Sequence, residues 1–481
     1  MKTKISIILV LAFCSNILFA QGLKTNYFLD AYSHNHLMNP ALSPNRGYVY
    51  IPCVNFNLGL NGNMKISQFL YMNNGSFTTA LNPDISAKTF LSKLHNNNHL
   101  DFDISDKILA AGFYIKNMFF SLDLGINANV GLNIPKDFFS FLKKQMYSQN
   151  THYNFKNFAL KSNAYADLGL GFAMDIDEHI RVGGKLKILA GLANASLNVT
   201  DWKMNMTGDE WSTSIKSEAN IMGNGITYDL DSNGNLDLST IGFDISKLGV
   251  AGWGGAIDLG AQYSFGEESY FNGLRVSLGI TDLGFINYGK DASHRFTEGG
   301  SVKFVGINNI GVSDSGTFEM GSIDNLIDDL VDDVYGLMDL KADAPKGKAS
   351  ALSTKIAIGA EYSFVNNTMG IGVLFTSKIS KFYSINELTL SYNLHPSSWF
   401  GLALSTSFVQ SGLSSIGWSL NLAPNYGLNL FLGMDYVPFT YMSNYLPYET
   451  GNVNISVGLC VPLGKKASLK KLKEQSVEVM Y

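Results

Sequence analysis

Residues 119–135 read FFSLDLGINANVGLNIP. From Phe120 every second residue is apolar: Phe120, Leu122, Leu124, Ile126, Ala128, Val130, Leu132 and Ile134. The residues between them are Ser121, Asp123, Gly125, Asn127, Asn129, Gly131 and Asn133. Successive side chains of a strand point to opposite faces, so this stretch predicts one apolar and one polar face. Its length exceeds the roughly five or six residues usual for a strand in a soluble sheet.

The same period recurs. Ala164, Ala166, Leu168, Leu170, Phe172, Met174 and Ile176 alternate with Tyr165, Asp167, Gly169, Gly171, Ala173 and Asp175. Ile257, Leu259, Ala261, Tyr263 and Phe265 alternate with Asp258, Gly260, Gln262 and Ser264. A soluble sandwich would expose long charged side chains on its polar face. Here that face is mostly Gly, Asn, Ser and Asp, which suits a crowded, wet barrel interior.

Fourteen such strands are expected: 48–60, 104–115, 118–134, 163–176, 180–199, 253–265, 273–283, 354–364, 368–376, 386–394, 399–409, 413–423, 427–437 and 452–463. Connections after even-numbered strands are short. Those after strands 1, 3, 5 and 7 are long: 61–103, 135–162, 200–252 and 284–353. An even-stranded antiparallel outer-membrane barrel with both termini in the periplasm sorts its loops in this way. The expectation is therefore all-β: a closed antiparallel transmembrane barrel over 48–463, with helical insertions in long extracellular loops. Its apolar face would meet lipid, and closure would satisfy the backbone where lipid offers no hydrogen bonds.

Composition agrees. Of 481 residues 46% are hydrophobic and 16% charged, well under the usual quarter or so of charged residues. No run of about 18 apolar residues follows the N-terminus, so no transmembrane helix is expected. The net charge of −5 without a basic stripe gives no reason to expect a nucleic-acid partner. Residues 1–20 read as a signal peptide: Lys2 and Lys4, the apolar ISIILVLAF, and Ala20 before Gln21. An N-terminal anchor is the alternative reading. A lipoprotein signal at Cys14 is disfavoured by the bulky Phe13 before it.

Aromatics at Tyr48, Tyr50, Phe119, Phe120, Trp253, Trp399, Phe400 and Tyr436 are candidates for interfacial girdles, or for ordinary strand enrichment. Helical spacing marks 85–94, 136–144 and 322–340 within the long loops. The acidic side of 322–340 reads as a solvated face.

Few motifs carry chemistry. In DLDSNGNLDLST (229–240), Asp229, Asp231, Asn233 and Asp237 have calcium-loop spacing, with Gly234 at the sixth position. Thr240 stands where a bidentate Glu is needed, and a hairpin turned at Asn233-Gly234 explains the same residues. No histidine is expected on a lumen-facing strand beside a nucleophile, so neither an enzyme nor a cofactor is expected. Cys53 and Cys460 fall on the lumenal faces of the first and last strands, which closure makes neighbours. They are either bridged across the seam or buried thiols.

Asn39-Pro40-Ala41, just before the first strand, resembles the fatty-acid-transporter superfamily of outer-membrane barrels. That resemblance implies an N-terminal hatch, 21–47, plugging the lumen. LNPDISAKTFL (81–91) and IDLGAQYSF (257–265) are similar to an uncharacterised Bacteroidota outer-membrane barrel family, over nearly the whole mature chain. Pro40 and Pro44 suit a rigid, non-helical plug.

The resemblance implies a channel or transporter for a small hydrophobic or amphipathic molecule. The alternative is a non-conducting structural or secretion-accessory barrel that holds a surface or secretion partner through its loops. The expected lumen charges are Asp123, Asp167, Asp175, Arg181, Lys185, Lys187, Asp258, Arg275, Glu361 and Asp435, with Gln262. Their mixed sign suggests no ion filter. Residues 464–481 form a basic tail, expected to be periplasmic.

Overall fold

The computed structural model describes residues 23–30, 32–50, 56–73, 76–144, 151–207, 210–230, 234–247, 249–304, 340–381, 383–397, 399–410, 412–424, 427–437 and 451–465. Fourteen antiparallel barrel strands run through them. The first, β1, is described in two stretches, Arg46–Tyr50 and Phe56–Gly62. It is followed by β2 (Asn97–Ile115), β3 (Met118–Pro135), β4 (Ala159–Asp175), β5 (Ile180–Thr207), β6 (Gly252–Ser264) and β7 (Leu274–Tyr288). Then come β8 (Thr354–Phe364), β9 (Met369–Ile379), β10 (Ser384–Ser397), β11 (Phe400–Val409), β12 (Gly412–Leu422), β13 (Asn429–Val437) and β14 (Val453–Lys465).

Each strand pairs with its neighbours in sequence, and β1 closes the ring on β14, with Tyr48 opposite Pro462 and Tyr50 opposite Cys460. All fourteen expected strands are present. Several run further toward the long loops than the alternation suggested, notably β5 and β7.

The alternation is resolved by burial. Leu122, Leu124 and Ile126 are 38–43% exposed, while Ser121 and Asp123 between them are 6% and 1% exposed. Leu168, Leu186, Leu259, Val373 and Leu390 likewise point outward, and Asp167, Lys185, Asp258, Glu361 and Ser391 point inward. An apolar exterior of this kind around a polar interior is stable against hydrocarbon and unstable against water. Strands of nine or more residues are long enough to cross it. Among the described residues no helix is long and apolar enough to cross a membrane.

The aromatic expectation divides. Trp253 and Trp399 are exposed on the outside, joined by Tyr270 and Phe271 in a short turn. Tyr48, Tyr50, Phe119 and Tyr436 are instead buried, at 1–2% exposure. Strand parity puts Tyr48, Tyr50 and Phe119 in the lumen, whereas Tyr436 follows the inward-facing Asp435 and turns inward at φ +61°; they pack on an interior segment described below.

At the long-loop end, Ala87–Leu91 and Lys136–Lys144 are helices, as their spacing predicted. Ser86 Oγ caps the first by accepting from the Thr89 N–H. Strands Glu210–Gly223 and Ser293–Phe304 pair with each other, and Glu210–Gly223 also pairs with the end of β5, extending the wall. These segments bury a core of Phe90, Phe138, Phe139, Phe141, Tyr153, Phe155, Trp202 and Phe296. The amphipathic segment 322–340 lies outside the described residues except for Leu340, and so does the basic tail beyond Lys465.

Candidate functional site

The barrel interior is occupied. Residues 23–30 and 32–45 thread the lumen before β1 begins, and Leu23, Thr25, Tyr27, Tyr32, His34, His36, Asn39 and Ala41 are all buried. Asn39 Oδ1 accepts from the Ala41 N–H at 3.0 Å and the Asn39 carbonyl accepts from the Leu42 N–H at 2.8 Å. An Asn side chain closing on its own backbone two residues on fixes a turn, and Pro40 pre-sets φ within it. Asn39 Nδ2 donates to the Tyr27 hydroxyl at 3.0 Å, which is 3.0 Å from Ser277 Oγ on β7.

This turn rests on glycines. Gly183 of β5, Gly260 of β6 and Gly279 of β7 stand directly across from one another in the sheet. A Cβ at Gly183 would strike the Pro40 carbonyl, and one at Gly260 would strike Asn39 Oδ1. One at Gly279 would come within 2.8 Å of Asn39 Cβ. The small residues of the polar face are therefore a seat for Asn39-Pro40-Ala41 as well as a wet lining.

Polar tethers hold the rest of the segment. Asp435 accepts from the Lys24 and Thr25 N–H groups at 3.0 and 3.1 Å, and Lys24 Nζ lies 2.9 Å from Glu387. Arg275 bridges Asp30 of the segment and Glu361 of β8, both at 2.6 Å. Arg181 donates to Ser43 Oγ and pairs with Asp175 at 2.7 Å. His34 Nδ1 and His36 Nε2 meet the hydroxyls of Tyr50 and Tyr48 at 2.7 and 2.9 Å.

Beyond these contacts ion pairs cluster along the wall. Lys107 pairs with Asp123 at 2.9 Å and Asp167 at 2.8 Å, and Lys185 with Asp123 at 2.6 Å. Lys187 pairs with Asp258 and Asp282, each at 2.7 Å, and Lys355 with Asp282 at 3.2 Å. Desolvation offsets much of the Coulomb gain of such pairs, but removing one partner leaves a charge buried without compensation. They therefore fix which side chains may line the lumen more than they add stability.

Of the ten charges expected in the lumen, Asp123, Asp167, Arg181, Lys185, Asp258, Glu361 and Asp435 are buried, while Asp175, Lys187 and Arg275 are half-buried in pairs with Arg181, Asp258 and Glu361; Gln262 lies beside Arg275. Sequence reasoning missed Lys24, Asp30, Asp101, Asp103, Lys107, Asp282, Lys378 and Glu387. A bulge between Lys107 and Leu109 shifts the face parity of β2, which hid Lys107. A second bulge, in β7 where Thr281 and Asp282 together oppose Asp258 and Asp282 sits at φ +60°, hid that carboxylate.

Between the plugging segment and the long-loop end lies a cavity of about 150 Å³. Leu37, Met38 and Lys24 of the segment form part of its lining, with Tyr165, Asp167, Lys187, Asp282, Lys355, Ala357 and Ile385 around it. Its surface thus combines ammonium and carboxylate groups with apolar patches.

The two remaining candidates resolve differently. Asp229 and Asp237 lie opposite each other in a hairpin, Ile226–Leu230 with Leu236–Phe243, and the Asp229 N–H donates to Thr240 Oγ1 at 2.7 Å. Asp231 and Asn233 lie outside the described residues, and Gly234 has φ +80°. The described residues thus pair as the two arms of a hairpin. Among the described residues no group of three or more His, Cys, Asp or Glu is placed to hold a metal. Cys460 is a buried thiol 3.8 Å from Ser33 Oγ, and Cys53 lies outside the described residues.

Fold and site together define a closed fourteen-stranded transmembrane β-barrel whose lumen is filled by its own N-terminal segment. The chain belongs to the family of unknown function DUF5723, whose model matches residues 40–435. No curated protein matches the sequence. Similar solved structures include the Ralstonia pickettii toluene transporter TbuX, at 7% identity and a TM-score of 0.38, covering 91% of this chain and 95% of that one. The P. putida toluene transporter TodX is similar at 7% identity and a TM-score of 0.35, covering 90% and 95%. A Pseudomonas aeruginosa FadL homologue is similar at 10% identity and a TM-score of 0.33, covering 88% and 89%.

Proposed function

We propose that this protein is a plugged transport barrel of the outer membrane, with residues 23–45 as the hatch and both termini in the periplasm. The observation that carries the reading is the cavity of about 150 Å³ held between that segment and the long loops. A purely structural barrel has no need of a chamber. The chamber's mixed lining favours a small amphipathic solute over a bare hydrocarbon, because an apolar solute would leave Lys187, Lys355 and Asp282 poorly solvated. Solute entering from the long-loop side would meet Leu37 and Met38, and passage would require the Asn39-Pro40-Ala41 turn to leave its glycine seat.

The test is uptake by the purified full-length protein in liposomes, using short-chain amphipathic carboxylates and amines as probes. Saturable uptake supports the reading; absence of uptake across both probe classes overturns it. A second reading, a non-conducting barrel that presents its loops to a partner, is favoured by one observation. The charges that line the lumen close on one another. A sealed barrel that retains one tight loop-bound partner through purification would establish it.

A further inference from the structure

The chamber has a closure of its own on the side away from the plug. Lys378 projects from β9, where its ammonium lies 2.8 Å from Asp101 and 2.5 Å from Asp103 of β2. Strands β2 and β9 are seven apart in a ring of fourteen, so this bridge spans the lumen between opposite walls. Asn129 of β3 donates to both carboxylates, at 2.7 Å to Asp101 and 2.9 Å to Asp103. Asp103 and Lys378 line the chamber; Asp101 lies further toward the long loops.

Tyr383, in the turn from β9 to β10, completes the crossing. Its hydroxyl donates to Asp101 at 2.6 Å and its ring stacks on His99 at 5.2 Å. His99 was expected in a loop, but it lies on β2 because that strand begins seven residues earlier than the alternation suggested. The tip of Tyr383 presses on the backbone of Gly131, directly opposite Asp101 in the sheet, and a Cβ at Gly131 would collide with it. Two side chains from one wall thus seat in a notch on the facing wall.

We propose that Lys378 and Tyr383, closing on Asp101, Asp103 and Gly131, form a gate across the long-loop mouth of the chamber. The gate and the hatch bound the chamber from opposite ends, so solute access needs two separable events. A crossing between opposite walls that served only to brace the barrel would have no need of an aromatic side chain carried on a turn. A charged group on an entering solute would compete for Lys378 or for the Asp101–Asp103 pair, which couples arrival to opening.

The gate governs access, so its test stands apart from whether any solute is carried. A Thr281→Cys reporter, at a chamber-lining position, is placed in a Cys53→Ser/Cys460→Ser background of the full-length protein. Its labelling by an uncharged maleimide is timed in liposomes. Lys378→Ala/Tyr383→Ala is expected to speed labelling by about tenfold or more through a larger open population. Gly131→Val is expected to do the same by evicting Tyr383 from its notch without changing the chemistry of Lys378, Tyr383, Asp101 or Asp103. Tyr383→Phe, which keeps the ring and loses the bond to Asp101, falls between. Unchanged labelling rates in both the double variant and Gly131→Val, with the heat-modifiable mobility of a folded barrel retained, overturn the gate.

Discussion

Pro40 lies so close over Gly183 that any side chain at position 183 would meet the Pro40 carbonyl. A turn three residues long is thereby registered against three strands, and the fit depends on what those strands lack. The seat holds the turn by shape, through Gly183, Gly260 and Gly279, while the ion pairs at Lys24, Asp30 and Arg275 hold the flanks.

Filling the seat should therefore unseat the plug. Gly260→Val places methyl groups where Asn39 Oδ1 lies. The variant is expected to make residues 23–45 sensitive to added protease and to raise liposome conductance. Gly255→Val, on the outer face of the same strand, should leave both unchanged. Overpacking typically costs about 1–3 kcal/mol, enough to populate the unseated form.

Removing Arg275 should be costly. Glu361 is fully buried and Asp30 reaches the same guanidinium. Arg275→Met is expected to destabilise the protein by about 3–5 kcal/mol, because it leaves Glu361 buried beside only Asn393. Lys203→Ala, which breaks an exposed pair with Asp201, should cost under about 1 kcal/mol. Denaturant unfolding in lipid vesicles measures both, and equal costs would contradict the dependence of buried Glu361 on Arg275.

Acid should loosen the plug. His34 Nε2 and His36 Nδ1 are buried with no hydrogen-bond partner. A neutral imidazole tolerates one bare ring nitrogen; a protonated one would bury an unsatisfied N–H and a charge. The groups facing the pair are Tyr48 and Tyr50, with Asp123, Lys107 and Lys185 behind them. Lys107 and Lys185 oppose a further positive charge there. A released imidazole titrates near about 6.5, so the seated state is favoured above that pH and weakens as pH falls below it. Protease sensitivity of residues 23–45 should rise between neutral and mildly acidic pH, and the rise should flatten in His34→Phe/His36→Phe.

The barrel was legible because lipid imposes one rule on every strand: apolar out, small or polar in. Stretches such as 119–135 alternate without a slip, and loop lengths sort by parity through the first eight strands, though the connection from Val409 to Gly412 breaks the rule. What escaped were places where another rule wins. Strands Glu210–Gly223 and Ser293–Phe304 stand at the long-loop end, where they pack on loop aromatics, so their alternation is weak. Lys107 and Asp282 sit beside bulges that shift the face a residue presents. Tyr48, Tyr50 and Phe119 looked like girdle residues because composition cannot tell an aromatic at the lipid boundary from one packed on a plug. The glycines of the polar face were visible, but their use as a seat depended on contacts more than a hundred residues away.

The central claim is that the even side chains of 120–130 face hydrocarbon and the odd ones face the lumen, with Leu132 and Ile134 beyond them packing into the long-loop core. It is tested most directly by single cysteines at Ser121, Leu122, Asp123, Leu124, Gly125 and Ile126, labelled with an environment-sensitive fluorophore in bilayers containing quencher on the lipid chains. Strong quenching at 122, 124 and 126 with little at 121, 123 and 125 is the predicted result. Quenching that is uniform, or that follows the odd positions, would contradict a lipid-facing barrel.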